Sequence, residues 1–142
     1  MEQRVTLYIH DWSEILFGKY FRELRKRKNM TQNDIAEIIG KKKMLISGVG
    51  LGKNGSFLEE DLLKIAHSMK LDENETRELM KEAAKSRDTI PRNMINYIYQ
   101  NEGAYNLLYL LCEEKASKEQ LKILLEFYRD SYENQLREDK NV

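Results

Sequence analysis

The sequence predicts an all-α protein, and three observations carry that prediction. Charged residues make up 34% of the 142 residues and hydrophobic residues 41%, a balance that suits solvated helices each burying one stripe. A single proline and seven glycines leave few of the turn-forming residues that a strand-and-turn architecture consumes. Apolar residues recur at helical spacing between marked helix starts.

Those starts come first. A Ser, Thr or Asp followed three residues later by an acid or amide lets the two side chains satisfy orphan backbone donors at a helix N-terminus. Four such pairs stand out, Asp11 with Glu14, Ser56 with Glu59, Asp72 with Glu75 and Ser117 with Gln120, and Thr31 with Asp34 is a fifth. Downstream of them run Phe17, Phe21 and Leu24; then Ile35, Ile38 and Ile39; then Leu62, Ile65, Ala66 and Met69; then Leu79, Met80 and Ala83. Each set makes one face of a helix directed at a shared core. A break follows at Arg87-Asp88-Thr89, and Pro91 suits the first turn of a new helix because its missing donor has no partner to lose there. The break divides the chain into residues 1–88 and 89–142.

Beyond Pro91, residues 94–99 read as a short helix. Ala104 to Glu114 is apolar nearly all round, so it must be buried on several sides. A last helix spans about Lys118 to Arg137 with Leu121, Leu124, Leu125, Tyr128 and Tyr132 on one face, too few heptads for a coiled-coil assignment. The apolar excess of Leu107, Leu108, Leu110 and Leu111 together with Leu121, Leu124, Leu125 and Tyr128 predicts a helical bundle that pairs two subunits, with burial inside one subunit as the alternative. The tyrosines Tyr97, Tyr99, Tyr105, Tyr109, Tyr128 and Tyr132 read as core and interface packing rather than as a ligand pocket.

Several classes of function find no support in the residues. No stretch approaches the roughly 20 apolar residues of a membrane span, and Met1-Glu2-Gln3-Arg4 does not open a signal peptide, which leads to the expectation of a soluble cytoplasmic protein. Cys112, the one cysteine, excludes an intrachain disulfide and reads as a small core-filling hydrophobe. His10 and His67 lack metal-ligand spacing and read as surface residues. Gly48-Val49-Gly50-Leu51-Gly52 lacks the preceding strand and the Gly-Lys-Ser/Thr ending of a phosphate loop. Neither an enzyme nor a bound cofactor or metal is expected.

The net charge of zero hides an uneven distribution: Phe17 to Gly55 holds ten Lys or Arg against three acids, a net of +7, while the flanks carry −2 and −5. A segment of that charge suits a polyanion, because Lys and Arg release counterions from phosphates.

Within it stand Phe21-Arg22-Glu23-Leu24-Arg25, then Met30-Thr31-Gln32-Asn33-Asp34-Ile35-Ala36-Glu37-Ile38-Ile39-Gly40, then Ile46-Ser47 and Gly52-Lys53. The run resembles the lambda-repressor-like, or XRE-type, helix-turn-helix family, over roughly Phe17 to Leu71. Ala36 is small enough for two helices to cross closely and Gly40 permits the sharp turn between them. Ile35, Ile39, Ile46 and Val49 then clamp the pair at a fixed angle.

The resemblance implies a recognition helix just after the turn, with Lys43, Met44, Ser47 and Gly48 facing bases. It places Gln32 at a phosphate, and Lys41, Lys42, Lys53 and Asn54 are further phosphate contacts. Arg22, Arg25, Lys26, Arg27 and Lys28 read as a solvated face. The chain departs from the family where Gly50 replaces a late acidic residue, removing a partner expected for Arg25, and where Lys42 replaces a Ser or Thr cap. Gly48 and Gly50 weaken the helix by about 1 kcal/mol each relative to Ala. The implied function is a sequence-specific transcriptional regulator, a repressor that binds double-stranded DNA at a palindromic operator as a homodimer. The alternative, favoured by the two glycines, is a module that keeps the fold and binds and inhibits another protein.

Overall fold

The computed structural model describes residues 2–141, with side chains from Glu14 onward. Eight helices and no strands occur among them: α1 Glu2–Arg27, α2 Gln32–Ile39, α3 Lys43–Gly50, α4 Glu59–Ser68, α5 Glu73–Lys85, α6 Arg92–Gln100, α7 Glu102–Glu113 and α8 Lys118–Lys140. The chain divides into two compact units, residues 1–95 and 96–142, with the division inside α6. No helix among the described residues is long and apolar enough to cross a membrane.

The helix starts obey local chemistry where no distant group competes. Thr31 caps α2 by accepting from the Asp34 amide at 3.1 Å while its own amide donates to the Asp34 carboxylate at 2.7 Å. Asp72 with Glu75 and Ser117 with Gln120 form the same reciprocal box on α5 and α8. Two expected starts are corrected. Residue 11 lies inside the continuous α1, and the side chains of His10 and Asp11 lie outside the described residues. Leu58, not Ser56, occupies the cap of α4. The buried Ser56 hydroxyl donates instead to the Ala83 carbonyl on α5 at 3.1 Å, because a buried hydroxyl must find an acceptor and that one lies against it.

In the first unit α1 packs on α3 and α5, α2 on α3 and α4, and α4 on α5. The stripes read from spacing meet in one core: Phe17, Phe21 and Leu24 from α1, Ile35 and Ile39 from α2, Ile46 and Val49 from α3, Leu62 and Ile65 from α4 and Leu79 from α5 are all buried. Phe57, from the loop before α4, fills the centre. Its ring meets Phe21 edge-on with centroids 4.9 Å apart, a favourable quadrupolar arrangement. Lys28, at the end of α1, reaches Glu75 on α5 at 2.9 Å and ties the two helices at the rim.

Residues 96–142 are built differently. Neither α7 nor α8 contains a buried residue, and the two do not pack on each other. The expectation that the apolar α7 is buried on several sides is therefore not met within one chain. Leu107, Leu108, Leu121, Leu124, Leu125 and Tyr128 are all exposed, and Leu111 is half-buried. Cys112, expected in a core, is exposed as well; His67 is exposed as expected.

Candidate nucleic-acid interface

The interface is built around α2, a tight turn and α3. Gly40 ends α2 in the left-handed region with φ 65°, and its amide turns back to the carbonyls of Ala36 and Glu37. That conformation costs a residue with a Cβ about 1–2 kcal/mol, which accounts for glycine here. Lys41 and Lys42 follow on the exposed turn. Lys42 is the N-cap of α3 and makes no side-chain cap bond, so the first amides of α3 keep their partial positive charge beside a run of lysines.

α3 has two unlike faces. Ile46 and Val49 point inward and are 2% and 1% exposed. On the outer face Lys43 is exposed and Met44 is 81% exposed. Ser47 is half-buried, one turn beyond Lys43. It shares a cleft with Gln32, at the first position of α2, and with Arg22 and Arg25 of α1. The turn thus gathers Gln32, Ser47 and two arginines into one place.

Gly48 is occupied space. A Cβ there would collide with the side chain of Asn54, whose Cγ would lie at 2.9 Å. The amides of Lys53 and Asn54 both donate to the Gly48 carbonyl, at 2.9 and 3.1 Å. Asn54 is therefore folded onto the helix at Gly48, so the residue supplying side-chain chemistry at this point of the face is Asn54. Exposed Lys53 sits beside it.

Two further glycines, which the sequence reading left unassigned, hold α3 in place. A Cβ on Gly18 would overlap the Val49 carbonyl oxygen and stand 3.1 Å from the Gly50 carbonyl oxygen and the Gly52 amide. Gly52, at φ 71°, would press a Cβ onto the Ile15 backbone at 2.8 Å. α1 and α3 thus cross backbone to backbone, which only the absence of a side chain permits. The missing acidic partner for Arg25 is also resolved: its guanidinium donates to the Met30 carbonyl at 2.8 Å, holding the corner between α1 and α2.

No group of three or more His, Cys, Asp or Glu able to hold a metal occurs among the described residues. Compared with models of known protein families, with curated proteins and with solved structures, the chain finds no match.

Proposed function

We propose that this chain is a sequence-specific DNA-binding regulator of the lambda-repressor-like helix-turn-helix type, acting in the cytoplasm as a repressor. The observation that carries the reading is α3 itself. It is anchored by Ile46 and Val49 on one side and carries exposed Lys43 and Met44, with half-buried Ser47 at their edge, on the other, in the middle of a segment of net charge +7. An α-helix fits the major groove, where Lys43 donates to guanine acceptors, Met44 meets a thymine methyl and Ser47 bonds a base or phosphate. Gln32, Lys41, Lys42, Lys53 and Asn54 surround it as phosphate contacts.

Two copies fit the reading. The unburied apolar residues of α7 and α8 form a surface that pairing covers, which puts two recognition helices on successive turns of a palindromic operator. A second reading is favoured by the same exposed residues: a module that captures and inhibits another protein through α7 and α8. Selection from random duplexes at near-physiological salt decides between them. An enriched palindrome supports the regulator. Retention without enrichment, or no retention, sinks it and favours the protein-binding module. Neutralising Lys41, Lys42 and Lys43 abolishes DNA binding under the first reading and spares partner binding under the second.

A further inference from the structure

Resting on the DNA-binding reading, we propose that α1 carries a second phosphate-binding surface. Lys19, Arg22 and Lys26 form a rail beside α3 that grips the backbone of the duplex whose groove α3 enters. The three recur at intervals of three and four residues, which sets them on one face of an α-helix. All three are exposed, and none makes an ion pair or side-chain hydrogen bond among the described residues.

The neighbouring cations of α1 are sorted differently. Arg25 is committed to the Met30 carbonyl and Lys28 to Glu75. Arg27 is exposed but does not line the trough beside α3. A segment that reads in sequence as one solvated run is thus divided by the fold. One part holds helices together, and the other stands free along α3.

Position makes the free part useful. Lys19, Arg22 and Lys26 line a trough whose opposite wall is Gly50 and Leu51, at the end of α3. Arg22 also lines the cleft holding Gln32 and Ser47, so the rail is continuous with the base-facing helix. Nothing lies within 4 Å of where a Gly50 side chain would begin, and the trough stays open at that point. A helix about 10–12 Å across fills a major groove about 12 Å wide. The element packed directly against that helix then meets the phosphates bordering the groove. α1 is packed there through Gly18, and the rail is its exposed edge. Glu23, which lines the same trough, is the opposing charge, and it sets how tightly the rail holds.

The test uses the full chain and a duplex recovered by selection, with binding measured across a salt series. Each phosphate contact contributes about 0.9 to the slope of log K against log salt. The variant K19Q/R22Q/K26Q is expected to lower affinity for selected and random duplexes alike, to leave the preferred sequence unchanged and to make the slope shallower by about 3. Charge-preserving K19R/R22K/K26R keeps the slope. K81Q/K85Q, on α5 away from α3, keeps it too. E23Q tightens binding to every duplex. Circular dichroism confirms that each variant retains the parent's helices. A K19Q/R22Q/K26Q slope within about 1 of the unsubstituted protein's, while that protein binds its duplex, overturns the rail and leaves the DNA-binding reading standing. Failure of the unsubstituted protein to bind any duplex overturns both.

Discussion

Replacing Gly18 by alanine tests the crossing of α1 and α3 directly, because two opposing effects can be weighed. Alanine in a helix interior is favoured over glycine by about 1 kcal/mol, so on propensity alone Gly18→Ala stabilises. The new Cβ, however, would overlap the Val49 carbonyl oxygen and crowd two more backbone atoms at 3.1 Å. Backbone cannot rotate aside as a side chain tip can, so the two helices would have to part by roughly an ångström. That movement pulls Val49 and Ile46 away from the other buried side chains of the core, among them Phe17 and Phe21. Overpacking of this kind costs about 1–3 kcal/mol and occasionally more. With no flexible atom to yield, the upper part of that range applies, and the net loss after the propensity gain is about 2 kcal/mol. In a unit of this size that lowers Tm by about 10 °C.

Gly50→Ala is the matched control on α3. Nothing lies within 4 Å of its Cβ position, so only propensity acts and the protein gains about 1 kcal/mol. Urea and thermal unfolding followed by far-ultraviolet circular dichroism read both variants. A Gly18→Ala protein as stable as the parent, or a Gly50→Ala protein as damaged as Gly18→Ala, refutes the argument from backbone contact.

Other expectations follow from caps, charges and backbone. Thr31→Ala removes the side-chain half of the α2 capping box and costs about 1 kcal/mol by denaturant unfolding. Lys28 beside Glu75, with the Asp72 amide, holds the Glu75 carboxyl below its ordinary value of 4.5. Its contribution is present above that value and is lost as pH falls through it and below, so Glu75→Gln flattens the acid limb of a stability-against-pH curve. Burial, reinforced by Glu78 and Glu82, pushes the Tyr20 hydroxyl up to about 12 from 10.0. The unfolded chain ionises first, so stability declines as pH rises from 10.0 toward 12, and Tyr20→Phe removes that decline and the late step in a tyrosinate absorbance titration. Lys70 sits at φ 54° after α4, where glycine escapes the left-handed penalty. Lys70→Gly therefore raises stability by about 0.5–1 kcal/mol in thermal unfolding.

The first unit is legible in the sequence wherever one helix decides the outcome. Phe17, Phe21 and Leu24, or Leu62 and Ile65, stand on one face by the 3.6-residue period alone, and each is at most 1% exposed. The caps at Thr31, Asp72 and Ser117 are equally local, since donor and acceptor lie within four residues. Ser56 carries the same signature but has an acceptor 27 residues away, and no local rule weighs that competitor. α7 shows the opposite limit. Composition says that Leu107, Leu108 and Leu110 need covering, yet spacing cannot say which chain covers them, and α7 and α8 do not cover one another.

The candidate interface divides along the same line. The charge of the segment and the turn at Gly40 were legible from residue type, whereas the positions of Lys43, Met44 and Ser47 on α3 followed from the family resemblance, and the structure leaves the first two exposed and Ser47 half-buried. Only the tertiary structure decided that Gly18 is a crossing point, that Asn54 occupies the place of a Gly48 side chain, and that Arg25 and Lys28 are spent on the fold while Lys19, Arg22 and Lys26 stand free. Spacing along a chain specifies which residues share a face. Which face meets which depends on how closely backbones approach, and here two glycines far apart in sequence set that approach.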